Sequence, residues 1–431
     1  MNLKNSKKII IIFLIFVFSL ANISFAEYGL QGNSEQQTVS SSFNQPDLHI
    51  YSDAVILIDN KTGKTFYEKN SEQKMYPAST TKILTAILAI EKGNLSDEVT
   101  VSKTALAEMK AGYSSAYLTE GEIMTVENLL TVLLVHSAND ASNVLAEYIS
   151  GSISEFVNLM NQKAQELGCT NTHFVTTNGL HDENHYTTAK DMSIIARYCM
   201  QNETFRKIVS MSTCTIPATN KSGTRIYKNT NDMIRPNSGY YYQGCIGIKT
   251  GFTSEAKNCL VSAVSKKGIQ LIAVVFGAAL TENNRSARYV DSKTLYDYVY
   301  DNFTMSTIAK KSDVINTIEV KGATSETKSL DLVLANDISA MINVQDEGKT
   351  ITPEIKLNDE IKAPIATNTI IGTATYTANG TTYTENLLAS HDVQKDETLI
   401  YILRAVLIII FVILILFIVF KIMRNKNKRK H

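Results

Sequence analysis

The sequence predicts an α/β (α+β) body on an antiparallel sheet, then a small β-sandwich, then a C-terminal membrane-spanning helix. Three observations carry this. Strand pairs stand at both ends of a helix-rich stretch, around residues 54–67 and 245–275. Short, alternating, β-branched segments replace that texture after about residue 304. An uncharged apolar run covers residues 405–420. The 431 residues suggest two or three domains, and a hydrophobic content of 44% supplies a core. The formal net charge is zero, which leaves no electrostatic case for a nucleic-acid partner.

The elements follow in order. Residues 1–26 run from Lys4, Lys7 and Lys8 through an apolar stretch to Ser24-Phe25-Ala26, the pattern of a signal peptide cut after Ala26. An uncleaved anchor is the alternative. Residues 27–47, rich in Ser, Gln and Asn, read as a flexible linker. Residues 54–58 and 64–67 around Asn60-Lys61-Thr62-Gly63 read as a hairpin. Tyr76-Pro77-Ala78-Ser79-Thr80-Thr81-Lys82 and the apolar run behind it mark the start of a buried helix. Residues 100–200 read mainly as helix: 102–109, 125–135 with Thr125 as cap, 141–149 and 153–167. A strand at 245–249 ends in Lys249-Thr250-Gly251, and 258–264 and 270–275 flank Lys266-Lys267-Gly268 as a hairpin. A helix over about 286–300 closes a first domain of 48–303.

The second domain, 304–395, is expected to hold strands at 315–320, 329–334, 338–344 and 371–377 and to end its sheet near Leu388. Asn379-Gly380 between Tyr376 and Tyr383 is a strong hairpin signal. It carries no catalytic constellation and reads as a spacer or docking domain. Residues 399–423 are long and apolar enough to span a bilayer, with Arg404 able to snorkel. The basic tail, 424–431, would stay in the cytoplasm. The expected location is therefore the outer face of the cytoplasmic membrane, with lipid contact through the C-terminal helix. Five cysteines, odd in number, widely spaced and without C-x-x-C, speak against a disulfide framework or zinc knuckle, although one bridge stays open. None follows the signal peptide closely, so a lipid anchor there is not expected.

Three short sites bear chemistry. In Ser79-x-x-Lys82 the lysine stands one turn after the serine. A buried lysine can lose its charge and take the proton that makes a serine hydroxyl nucleophilic. Ser137-Ala138-Asn139 stands between two helices. Lys249-Thr250-Gly251 stands on a strand, where glycine admits a ligand close to the backbone. Each is weak alone, but all three in this order match the S-x-x-K, S-x-N, K-T-G triple of penicillin-binding proteins and β-lactamases.

The chain resembles the serine D-alanyl-D-alanine carboxypeptidases, the low-molecular-mass penicillin-binding proteins, across the whole of 48–303 and into the β-rich segment. Further stretches that carry the resemblance are Gly121-Glu122, Asp140-Ala141, Asn178-Gly179-Leu180-His181 with His185-Tyr186-Thr187-Thr188-Ala189, Asn229-Thr230-Asn231, and Gly247-Ile248 with Phe252-Thr253. Ala138 stands where the family often has glycine. The end differs too, because many relatives carry an amphipathic surface helix there. The resemblance implies a substrate, a peptidoglycan stem peptide ending in D-Ala-D-Ala, and inhibition by β-lactams, with no metal and no cofactor. It implies Ser79 as nucleophile, Lys82 as general base and Ser137 as proton relay. Asn139, Lys249, Thr250, Gly251, Phe252 and Arg288 would bind substrate, with the N–H groups of Ser79 and Phe252 as oxyanion hole. Arg285 competes with Arg288 for the arginine role.

His181 and His185 could be metal ligands, but no third ligand pattern accompanies them, and a structural loop is the expectation. His136 is expected to be a packed loop residue. Competing functions are a β-lactamase or transpeptidase of the same chemistry, and a non-catalytic β-lactam or peptidoglycan sensor. The short basic tail leaves the sensor no output domain. A zinc D,D-peptidase lacks a ligand set.

Overall fold

The computed structural model describes residues 45–427 apart from 108, 110 and 111. The expected signal peptide, all of the linker except residues 45–47, and tail residues 428–431 lie outside the described residues.

The first hairpin is β1 (Ala54–Asp59) and β2 (Thr65–Lys69). A 3-10 turn (Ala78–Thr81) leads into α1 (Lys82–Lys92). Next come β3 (Glu98–Thr100), α2 (Lys103–Leu106), β4 (Ile123–Thr125) and α3 (Val126–Thr131). A π-helical turn (Val132–His136) joins α3 to α4 (Asn139–Ser150), and α5 (Ile153–Glu166) follows. α6 (Ala189–Cys199) and α7 (Glu203–Val209) precede a hairpin of β5 (Thr213–Ile216) and β6 (Arg225–Lys228). β7 (Cys245–Thr253), β8 (Lys257–Lys266), β9 (Ile269–Ala278) and α8 (Ala287–Asn302) complete the domain.

The five long strands form one antiparallel sheet in the order β2-β1-β9-β8-β7. Every residue of β1 is buried because both faces of the sheet are covered. Ala54, Ile56 and Ile58 point into a core shared with α1, α4 and α6. Val55 and Leu57, one step out of phase, point into a second core against Leu295, Tyr296 and Val299 of α8. α1 is apolar on nearly every side and is the central helix of the first core. Burying Ile83, Leu84, Ile87 or Leu88 stabilises by roughly 1.5–3 kcal/mol each. That burial fixes where the Ser79–Lys82 turn stands.

The sequence expectation needs four corrections here. The 102–109 helix is a single turn, α2: Ser102 caps it, accepting the Ala105 N–H at 2.9 Å, but only Ala105 is buried to hold a second turn. The stretch 100–200 is less helical than expected, since β4 pairs with β3 inside it and residues 168–188 are irregular. The β5–β6 hairpin was not expected, although β5 alternates exposed and buried residues. Lys249-Thr250-Gly251 does not end its strand but lies within β7, which runs on to Thr253.

The second domain is a small β-sandwich. Its strands are β10 (Phe303–Ala309), β11 (Val314–Glu319), β12 (Ser329–Leu334), β13 (Ile338–Asn343), β14 (Glu354–Leu357), β15 (Ile370–Ala378) and β16 (Thr381–Ala389). A sheet ordered β11-β12-β16-β15-β14 and a β10-β13 pair enclose Leu330, Leu332, Ile338, Tyr376 and Leu387. Asn379 and Gly380, at φ 47° and 72°, make the two-residue turn expected between β15 and β16. β10 and β14 were not anticipated. α9 (Thr398–Asn427) includes a 27-residue stretch, Thr398–Arg424, with mean hydropathy 3.5, exposed throughout and long enough to cross a membrane. All five cysteines are free, four of them buried.

Candidate active site

The site begins at the turn before α1. Pro77 and the left-handed Ala78, at φ 47°, redirect the chain, and the Thr80 hydroxyl donates to Pro77 O at 2.7 Å. Lys82 is fully buried. Its Nζ lies 2.9 Å from Ser79 Oγ and donates to Asn178 O at 2.6 Å. Burial holds the Lys82 pKa well below the ordinary lysine value, and the charge of Lys249 adds to this while Asp140 opposes it. An amine pushed toward neutrality beside a serine hydroxyl is a base placed against a nucleophile.

The loop that carries Asn178 is held tightly. Thr177 O accepts the hydroxyls of Thr85 at 2.5 Å and Ser142 at 2.7 Å, and the Thr177 hydroxyl donates to Asn143 Oδ1 at 2.6 Å. His185 Nδ1 accepts the N–H groups of Val175 and Thr176, which leaves Nε2–H to donate to Thr81 Oγ1 at 2.8 Å. Burial, foremost, lowers the His185 pKa to about 3. His185 is a structural brace, and His181 packs edge-on against Tyr76.

The second motif follows the π-helical turn. Ser137 is left-handed, at φ 69°, and 6% exposed. Ala138 has an ordinary φ of −61°, so nothing at this position demands glycine. Asn139 opens α4, and its buried Oδ1 has no hydrogen-bond partner among the described residues. An acceptor left in this way suits an amide N–H from outside the chain. His136 packs against Tyr227, with ring centroids 4.5 Å apart.

The third motif lies on the edge strand β7. A Cβ on Gly251 would meet Pro77 O at 3.0 Å and Ser79 N at 3.1 Å, so glycine lets the strand pass directly beside the serine turn. Lys249 is 1% exposed, and its Nζ donates to Thr250 O at 3.0 Å. Burial and then the charge of Arg288 lower its pKa to about 7. Thr250 Oγ1 donates to Thr230 Oγ1 at 2.6 Å. Arg288 Nη1 donates to Gly251 O at 3.4 Å, whereas Arg285 stacks over Tyr240. The geometry therefore puts Arg288, not Arg285, on the strand. Phe252 is 64% exposed.

Sequence reasoning gave no role to Asn178, Thr230 or Asp140. Their signals were present as part of longer stretches, but a carbonyl that receives a lysine is invisible in composition. A separate 420 Å³ cavity, bordered by Asn60, Phe66 and Tyr383, carries none of the three motifs.

A family model described as D-alanyl-D-alanine carboxypeptidase matches residues 38–280, and one described as the penicillin-binding protein 5 C-terminal domain matches 303–395. The D-alanyl-D-alanine carboxypeptidase DacF of Bacillus subtilis is 35% identical over 348 residues, 79% of this chain and 85% of that protein. The D-alanyl-D-alanine carboxypeptidase DacC of Escherichia coli is 28% identical, over 76% of this chain and 80% of its own. A crystal structure of a peptidoglycan synthesis regulatory factor, PBP3, from Streptococcus pneumoniae is 26% identical, with a TM-score of 0.67 over 80% of this chain and 100% of that one. Penicillin-binding protein 5 of Haemophilus influenzae gives a TM-score of 0.62 at 28% identity, over 81% of this chain and 99% of its own. The motifs, the fold of both domains and these matches agree, and the chain belongs to the D-alanyl-D-alanine carboxypeptidase family of penicillin-binding proteins, a family of serine hydrolases.

Proposed function

We propose that this enzyme is tethered to the membrane and removes the terminal D-alanine from peptidoglycan stem peptides through an acyl-enzyme on Ser79. The observation that carries this is the buried Lys82 amine, 2.9 Å from Ser79 Oγ. Lys82 takes the Ser79 proton as Oγ attacks the carbonyl carbon of the penultimate D-alanine. The N–H groups of Ser79 and Phe252 receive the developing oxyanion, an interaction whose loss elsewhere costs about 10²–10³ in rate. Ser137 passes its proton to the amide nitrogen and is reprotonated by Lys82, the C–N bond breaks and D-alanine leaves. Water then adds to the ester as the now neutral Lys82 takes its proton, the ester C–O bond breaks, and Lys82 returns that proton to Ser79 Oγ. Lys249, Thr250 and Arg288 hold the terminal carboxylate, and Asn139 holds the substrate backbone. Gly251 keeps the strand close. A β-lactam, whose carbonyl and carboxylate are similarly arranged, acylates the same serine.

The test is intact-mass analysis of the detergent-solubilised full chain with penicillin and, separately, with a peptide ending in D-Ala-D-Ala. The expected result is one penicilloyl adduct, mapped by proteolysis to Ser79, and release of free D-alanine. An adduct with no D-alanine release would favour a sensor, and rapid adduct turnover with no D-alanine release a β-lactamase. No adduct at all would sink the reading.

We infer the tether from α9 and the basic residues that follow it, with the catalytic body on the outer face after removal of residues 1–26. Expressed in bacteria, the full chain is expected in the membrane fraction, resistant to carbonate and salt. A chain stopped after residue 395 is expected in the soluble fraction. Sedimentation of both forms with membranes would move the attachment to the β-sandwich.

A further inference from the structure

The short loop 114–118 is bound by five hydrogen bonds to residues 136–140, which contain the second motif. Ser114 O accepts the Asn139 N–H at 2.9 Å, and the Ser114 hydroxyl donates to His136 O at 3.0 Å. Asp140, 1% exposed, accepts the Ser115 hydroxyl at 2.6 Å, the Ala116 N–H at 3.0 Å and the Leu118 N–H at 3.1 Å. From the other side, Ala116 O accepts Arg225 Nη1 at 3.2 Å and the Tyr227 hydroxyl at 3.0 Å, both from β6. Arg225 is itself paired with the fully buried Glu122.

Tyr117 sits in the middle of this clamp. Its N–H is tied to Ser115 Oγ at 2.8 Å, its φ is 57°, and its side chain is 79% exposed. A loop that only had to turn would place Gly, Asn or Asp in this left-handed conformation. A bulky aromatic there is strained, and the surrounding hydrogen bonds over-determine the strain. The ring contributes little to the core, so packing does not account for it. It stands three residues after Ser114, whose carbonyl is bonded to the Asn139 N–H. In the function proposed above the terminal carboxylate is held on β7 and Asn139 holds the substrate backbone, which puts the peptide upstream of the scissile bond on the Asn139 side.

We propose that Tyr117 is a specificity-determining residue, an apolar ledge for the aliphatic side chain of the residue that precedes D-Ala-D-Ala. This rests on the carboxypeptidase reading. Asp140 is the positioning residue that holds the ledge against the second motif.

The experiment compares two donors, diacetyl-L-Lys-D-Ala-D-Ala with its long side chain and acetyl-L-Ala-D-Ala-D-Ala with a methyl group. Wild type, Tyr117→Ala, Tyr117→Gly and Tyr117→Phe are assayed in the full chain. In Tyr117→Ala, kcat/KM for the lysyl peptide should fall about tenfold, the scale of a lost apolar contact of this size. The alanyl peptide and penicillin acylation should stay within about twofold of wild type. Tyr117→Phe should keep the preference. Tyr117→Gly removes the ring and relaxes the strained backbone, so it should lose the preference with no fall in Tm. Equal losses on both peptides and on penicillin would show a structural role and overturn the proposal, as would an unchanged lysyl preference. Wild-type enzyme that releases D-alanine from neither peptide would overturn the carboxypeptidase reading and this proposal with it.

Discussion

Lys82→Met should slow acylation of Ser79 by penicillin about 10²–10⁴-fold, the range expected for loss of a positioned general base. Methionine fills the buried space of the lysine stem but accepts no proton. The change also strands Asn178 O without its 2.6 Å donor, at a cost of about 1–3 kcal/mol. Against this, the variant no longer holds an amine in a fully buried place, and the two effects oppose one another. The fold should therefore persist, and stopped-flow acylation can be read without interference from unfolding. Acylation within tenfold of wild type would put the base elsewhere.

The pH dependence has a definite sign. Lys82 and Lys249 both have folded pKa values below the ordinary lysine value of 10.5, Lys249 at about 7. Between about 7 and 10.5 an unfolded chain carries a proton on residue 249 that the folded chain lacks. Stability from this group is complete above the unfolded pKa and is lost as pH falls through the folded one. Acylation should rise with pH through the Lys82 titration. Lys249 works in the other direction if its charge holds the carboxylate. The two amines feel one another, so the profile reports the pair rather than either lysine.

Much of this was legible in the sequence because strongly periodic or strongly apolar segments leave few options. α1, α3 to α5, the β7–β9 meander and the Asn379-Gly380 turn are of that kind. So were the three motifs. The short pieces were not: β3, β4, β5 and β6 have three or four residues each, too few to establish a period. The placement of Lys249-Thr250-Gly251 inside a strand was also hidden. Glycine usually marks an end, and only the approach of β7 to Ser79 N shows that here it makes room. Asn178 and Thr230 act through a carbonyl and a hydroxyl pair whose partners lie 96 and 20 residues away. Asp140 was visible as the residue after the second motif. Its use, closing a loop more than 20 residues earlier, is a property of the folded chain.

Gly179→Ala should disable the enzyme without touching any of the residues proposed to react. Gly179 has φ 83°, and a Cβ there would stand 1.8 Å from Ala78 O and 2.9 Å from Thr81 Oγ1. No side chain can yield to relieve the first contact, because it is backbone against backbone. Either the 176–180 loop or the Ala78–Thr81 turn must move, and the Lys82–Asn178 contact spans the two. A displacement on the order of 1 Å at a reacting group can cost about 10²-fold in rate. The expected result is a loss of acylation of at least that size, together with destabilisation on the order of 4 kcal/mol, at the upper end for single substitutions. Gly151→Ala separates the causes. Gly151 has nearly the same backbone, φ 75°, but nothing among the described residues within 4 Å of an added Cβ. It should cost only about 1–2 kcal/mol, the price of a left-handed L-residue, and leave acylation unchanged. Thermal unfolding and penicillin acylation of the two variants decide the matter. Equal effects would mean that glycine is needed only for its conformation. A selective loss at 179 would mean that the reactive serine is held in register by a loop about 100 residues away, packed so closely that a single methyl group cannot enter.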